Sequence, residues 1–355
     1  MTLNAVGMGN ALDVQTTTGH DVSSNQQFGG FVTSTAETNA VAIDGTAITA
    51  SGAYGNSAIL EVDGDSDISV NQSANDGSNV FSAATLRLDS YAVGNITAAT
   101  AAANSVETIG EYGGIQGSIQ QDSGAAVESR AIVEARTAGL GEFSATAATA
   151  SGNAIRSQGN ESSVILSTAQ SNRGAVRASA RVNAGGGGVL TTVAAQAQGN
   201  GLDVATEWSY GDARGTQNNS GQTEAEANIN IGNFDEDSIL ASSESIGNSA
   251  VITNLGTDTF LGMNQTNSGG VRAITRFDGG FGGEVLGSAS AFGNAATSWG
   301  CQSCPDTMSR GEINQTNSGA VNATFQSQYI SGWGTTGSAT AVGNSATFIT
   351  QDPQE

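Results

Sequence analysis

Small and polar positions alternate with a period of two through most of this chain. Before each recurring Gly-Asn pair, the third position back from the Asn is Gly7, Ala53, Ala92, Ala150, Ala197, Ser245, Ala291 or Ala341. The fifth position back is Ala5, Ser51, Ser90, Ala148, Ala195, Ser243, Ala289 or Ala339. Residues two apart share one face of a strand, so these positions predict a strand surface lined with Gly, Ala and Ser. The residues between them are mostly polar or larger, as in Ser288-Ala-Ser-Ala and Ser338-Ala-Thr-Ala. No helical stripe is sustained.

The pattern recurs at a nearly fixed distance. The Gly-Asn motif places its Asn at Asn10, Asn56, Asn95, Asn153, Asn200, Asn248, Asn294 and Asn344, at intervals of 46, 39, 58, 47, 48, 46 and 50 residues. A second motif, clearest as Gln265-Thr-Asn-Ser-Gly and Gln315-Thr-Asn-Ser-Gly, alternates with it. Its Gln recurs at Gln26, Gln72, Gln120, Gln170, Gln217, Gln265 and Gln315. Alternating small or apolar residues follow here too, with Val32, Val176, Val271 and Val321 six positions after the Gln.

A period of this size defines a stacked array, in which each unit buries its face only against its neighbours. The expected fold is all-β: an elongated β-solenoid, or β-helix, of about seven 48-residue repeats. Both motifs hold Gly and Asn, which tolerate left-handed backbone angles, so each reads as strand, tight arc, strand. That reading predicts two short coils per repeat, about 24 residues each, and a rod of about 65 Å with strands ~4.8 Å apart. One wide rung per repeat would halve that length. The array is expected to fill residues 1–355 as a single domain, with loop insertions at 96–152 and 295–314 and a short tail at 351–355. Glycine tracts at 185–188, 279–283 and 332–337 are expected in loops.

Stacking assigns the polar repeats a role. An amide above its equivalent can bond it side chain to side chain, sparing a buried group a cost of ~1–3 kcal/mol. Asn56, Asn153, Asn200, Asn248, Asn294 and Asn344, with Gln170, Gln217, Gln265 and Gln315, are therefore the expected ladder residues. A catalytic amide has no reason to recur seven or eight times.

Composition narrows the function. A formal charge of −22 argues against a nucleic-acid partner, whose phosphates need cations. The basic residues are all Arg, so Schiff-base chemistry is excluded. The two prolines, Pro305 and Pro353, lie outside the periodic segments, as a strand ladder requires. No apolar run approaches the ~20 residues of a membrane helix. The first residues show no signal-peptide pattern, while the Lys-free, Gly/Ser/Thr/Asn-rich composition suits an exported surface protein.

Little else suggests chemistry, and no cofactor is expected. Cys301 and Cys304 sit in one extended interval and are expected to close a small disulfide loop, with free thiols as the alternative. Asp63-Gly-Asp65-Ser-Asp67 resembles the opening of a calcium loop, but Ala74 stands where the bidentate Glu belongs, so a solvated acidic loop is the competing reading. His20 has no triad partners in sequence. Arg173, Arg177 and Arg181 are four apart and are expected on both faces of an arc, pairing with acids or contacting an anionic partner. Trp299, Tyr329 and Trp333 are candidate glycan contacts, with interior filling as the equal alternative.

The segments Gly343-Asn-Ser-Ala-Thr-Phe-Ile-Thr-Gln, Gly247-Asn-Ser-Ala and Gly55-Asn-Ser-Ala resemble the repeat of curlins, amyloid-forming surface fibre subunits. Within that group the chain most resembles the holdfast attachment protein D family. The resemblance implies a secreted, outer-membrane-associated cell-surface protein that anchors an adhesive polysaccharide and is not an enzyme. It also implies sister anchor proteins and a curli-type outer-membrane export channel as partners. Open strand edges at both ends of a solenoid predict end-to-end homo-oligomers. The rival is a β-helical enzyme that binds or degrades polysaccharide.

Overall fold

The computed structural model describes the chain apart from Arg136, Ala138, residues 302–307 and residues 352–355; at 235–237, 301, 350 and 351 it describes the backbone alone. Among the described residues there is no helix. Fifteen strands form one sheet in which every pairing is parallel.

One turn of the coil shows how the sheet closes. Side A is the strand Gly211–Asn219. After a bend, Thr223–Leu255 supplies side B (223–231), a reversal, side C (238–246) and side D (248–255). A last turn leads to Thr259–Asn267, which lies beside Gly211–Asn219 with Gln265 on Gln217. Sides A and D face each other, since Gln217 Nε2 donates to the Ser249 carbonyl across the gap (2.7 Å). Sides B and C do the same, with Ser245 Oγ donating to Thr223 Oγ1 (3.1 Å). Each turn is thus two facing layers, A–B and C–D, joined at a B–C edge and a D–A edge.

The expectation of 24-residue coils is corrected here. Thr223 pairs with Val271, and Asn248 with Asn294, one full repeat later. A single wide coil takes the whole repeat, because the two motifs sit opposite one another in the middle of the two layers and do not stack on each other. The Gly-Asn pairs are not arcs but run on as strand, whereas the Asn-Ser-Gly triplets do interrupt the chain, at the A–B bend. No Gly of either motif falls among the residues with positive φ. These glycines answer to close approach instead: a Cβ on Gly199 or Gly247 would lie 2.5 Å from the Oδ1 of Asn219 or Asn267 in the facing layer.

The interval between Asn56 and Asn153 is also regular. Asn104, preceded by Ala103, pairs with both Asn56 and Asn153, whereas Asn95 lies on side C opposite Ala47 and Ser144. Residues 96–152, expected to hold an insertion, run mostly through Asn79–Ser123, Ala126–Ala135 and Gly141–Asn172 as ordinary strand. Of the expected insertion at 295–314, residues up to Cys301 and from Ser309 onward are strand, and part of the remainder lies outside the described residues, as does the tail from 352.

The core is split in two. Between sides B and C it is built chiefly of alanine and valine, including Ala84, Ala131, Ala180, Ala197 and Val182. Between sides A and D it is larger and branched: Leu60, Ile119, Ile155, Leu202, Ile252 and Leu261. The small rows read from the sequence line the B–C half, with Ala99 and Ala101 in the third rung where Ser90 and Ala92 were expected.

Candidate functional site

Two amide columns separate the halves. Up the C–D layer, Asn10, Asn56, Asn104, Asn153, Asn200, Asn248, Asn294 and Asn344 form a chain in which each Nδ2 donates to the Oδ1 of the next rung at 2.7–2.8 Å. The other Nδ2 hydrogen of the central members crosses to a backbone carbonyl of the A–B layer, as from Asn153 to Ser171 (2.7 Å) and from Asn200 to Asn218 (2.8 Å). The second column is Gln26, Gln72, Gln121, Gln170, Gln217, Gln265 and Gln315, with Nε2 to Oε1 bonds of 2.7–2.9 Å. Each of these glutamines also donates to a carbonyl of the C–D layer, as Gln170 does to Gly201 (2.8 Å). In the Asn column the lower rung donates; in the Gln column the upper one does, so the two rows of side-chain dipoles oppose each other.

All ten amides named as ladder residues stand in these columns. Asn104 and Gln121 take the third-rung places that the motifs assigned to Asn95 and Gln120. A signal for Gln121 is present in the sequence: Ile115 and Ile119 are buried at odd positions, and parity carries that face to 121. A third column, Asn172, Asn219, Asn267 and Asn317, was missed because Asn-Ser-Gly was read as a turn. These side chains bond one another at 2.6–2.8 Å and donate to the carbonyl of the Gly two residues on at 3.0 Å. With their amide hydrogens consumed, the central amides are a spine and offer no donor to a ligand.

The outer faces differ sharply. Side B carries an ion-pair lattice in which Arg177 meets Glu224 (3.4 Å) and Glu226 (3.1 Å), Arg272 meets Glu224 (3.7 Å), and Arg87 bridges Glu134 (3.1 Å) and Glu37. Burial pushes the Glu226 carboxyl up, but hydrogen bonds from Asn228 and Arg177 and the charge of Arg276 outweigh it and hold it below its ordinary range. A hydrogen bond from Asn39, then the charge of Arg87, lowers Glu37 likewise. Arg177 and Arg181 occupy alternate outward positions of one strand and share a face, contrary to the expectation, because an even spacing in an extended strand never changes face. Arg173 lies in the A–B bend against Asp122 and Asp76.

The D–A edge is acidic. Asp67 stands above Asp21 on side A, and Asp65 and Asp67 line a cleft of about 300 Å3 with Asp21, Gln116 and Ser163. Asp63 is not among its walls, and Ala74 is buried in the core as β-strand, so the chain does not wrap as a calcium loop does. Among the described residues no three His, Cys, Asp or Glu side chains are grouped to hold a metal ion. His20, exposed, shares a hydrogen bond with Thr18 (3.2 Å).

One turn position on this edge has left-handed geometry in rung after rung. Gly64 (φ 83°) bonds through its N–H to the Glu111 carbonyl, which sets it level with Tyr112 (φ 53°). Pairing of 111 with 160 and 113 with 162 sets Tyr112 level with Glu161 (φ 49°). Asn160 pairs with Glu207 and Glu207 with Leu255, so Trp208 (φ 57°) and Gly256 (φ 109°) continue the column among the described residues. Nothing in the local sequence marked these three non-glycine residues.

The candidate glycan contacts are not brought together. Trp299 is half-buried on side D, with Ile349 paired beside it in the next rung. Tyr329 packs against the B–C core. Trp333 is 80% exposed at the B–C edge. The side chain of Cys301 and all of Cys304 lie outside the described residues.

In comparisons with known proteins, no curated protein and no solved structure matches the chain. A family model described as Holdfast attachment protein D matches residues 1–270.

Proposed function

The chain belongs to the holdfast attachment protein D family, and from that membership we propose a stiff surface rod that ties adhesive polysaccharide to the outer membrane. The family match over residues 1–270 is the observation that carries this reading. The geometry suits the task. A parallel sheet closed on itself, with amide columns through its middle, resists local opening because each rung is bonded above and below through both backbone and side chains.

End-to-end assembly belongs to the same proposal. Leu12 and Val14 of the first rung are half-exposed, whereas their equivalents Leu202 and Val204 are buried, and Phe348 in the last rung is 46% exposed. Among the described residues the first and last rungs are each paired on one side, and the other strand edge is where a second copy would add in register. A strictly monomeric species in concentrated solution, by light scattering, would count against it. The sister anchor proteins and a curli-type export channel complete the proposed setting.

Deleting the protein should weaken retention of holdfast on the cell while leaving the polysaccharide's composition unchanged. It should also fractionate with the outer membrane. Release of reducing or unsaturated ends from a glycan by the purified protein would replace this reading with an enzymatic one.

A further inference from the structure

The left-handed column at the D–A edge contains a choice that folding alone does not explain. At its two outer described positions the chain uses Gly64 and Gly256, which adopt positive φ without steric cost. At the three inner ones it uses Tyr112, Glu161 and Trp208, although positive φ in a bulky side chain is a conformational outlier. Trp208 lays one side of its ring over Gly256, where a Cβ would come within 2.7 Å of it, yet Trp208 is still 58% exposed and Tyr112 68% exposed. The side chains are therefore held on the surface at the expense of the backbone beneath them.

Their order is aromatic, carboxylate, aromatic. Tyr112 and Trp208 stand two rungs apart, about 10 Å along the rod, with Glu161 on the rung between. A cleft of about 380 Å3 runs beside them, lined by Glu111, Gln158, Asn160 and Glu207. Among the described residues Glu111, Glu161 and Glu207 have no salt-bridge partner, whereas Glu37, Glu128, Glu134, Glu224 and Glu226 of side B pair with arginines. Aromatic faces take the apolar faces of sugar rings, and they attract cations, as unpaired carboxylates do. The same carboxylates repel polyanions.

We propose that Tyr112, Glu161 and Trp208 bind a glycan bearing protonated amino groups, laid along the rod axis with a sugar ring on each aromatic and an ammonium at Glu161. The proposal rests on the polysaccharide-anchoring reading and names the chemistry of the chain that is anchored.

The test is calorimetric titration of the intact protein with a glucosamine hexamer, its fully N-acetylated counterpart and an anionic uronic-acid hexamer. The glucosamine hexamer should bind at least about tenfold more tightly than the other two, and the preference should shrink with salt. The double variant Tyr112→Gly, Trp208→Gly should lose about tenfold or more of that affinity while its thermal midpoint stays level or rises, because glycine relieves the backbone. Glu161→Gln should remove the preference for the free amine. Equal binding by wild type and the double glycine variant overturns the proposal, as does failure of the wild type to bind the glucosamine hexamer. Cells separate the two readings. If deletion impairs attachment but the double variant restores it fully, this site is wrong and the anchoring role stands; if deletion has no effect while the site binds as expected, the reverse holds.

Discussion

The two halves of each rung solve the same packing problem differently. Between sides B and C, alanine follows alanine up the stack, as in Ala84, Ala131, Ala180 and Ala227. Its phenylalanines enter where glycine makes room: a Cβ on Gly282 would run into Phe234, and one on Gly287 or Gly337 into Phe325. Between sides D and A a single row holds Ala58, Val106, Ile155, Leu202 and Ala250 in succession, all buried. Size there is negotiated across the gap with the facing strand. The alanine half specifies shape position by position, while the aliphatic half specifies total volume, and the amide columns between them hold the spacing of both.

The largest effect should come from breaking the divide itself. Asn200→Ala strands the donor of Asn153, the Oδ1 of Asn248 and the carbonyl of Asn218; at ~1–3 kcal/mol per orphaned group, denaturant unfolding should show a loss of about 3–9 kcal/mol. Asn10→Ala, at an open end, should cost below about 1 kcal/mol. Next, Ala197→Leu in the alanine half should cost about 3 kcal/mol, whereas Ala250→Leu, in a row that already accommodates Leu202, should cost about 1 kcal/mol by the same measurement. A reversal of that order would remove the distinction between the halves. Gly282→Ala drives a methyl into Phe234 and should cost about 1–2 kcal/mol; pairing it with Phe234→Leu should recover part of that.

The smallest effect belongs to the surface lattice of side B. Glu226 binds its proton less readily folded than unfolded, so its contribution is complete at neutral pH and is lost as pH falls through and below the ordinary carboxylate range. Glu226→Gln should flatten that acid limb of the thermal midpoint. Solvent screening keeps the change below about 1 kcal/mol.

The legible part of the site was the part that repeats. Asn153 to Asn344 and Gln170 to Gln315 announce themselves because each faces the same neighbours in every rung. The third rung broke the motif for a local reason. Asn172, whose amide excludes a side chain at Gly152, is replaced in that rung by Ser123, and a Cβ then fits at Ala103; no glycine was required before Asn104. The accidental Gly94-Asn95 took its place in the reading. The left-handed column was invisible for the opposite reason: Tyr112, Glu161 and Trp208 share a backbone conformation but no residue type.

By itself, then, the sequence determined the β period, the repeat length, the small rows that face inward and the amides that recur with them. Those are local or periodic properties, written in residue type and spacing. Only the tertiary structure decided that one coil takes a whole repeat, that the two motifs face each other across the core, and that three strained side chains line up on the acidic edge. Each of those depends on which strand lies beside which, and backbone hydrogen bonding between residues 46–50 positions apart is a choice that no stretch of local sequence makes.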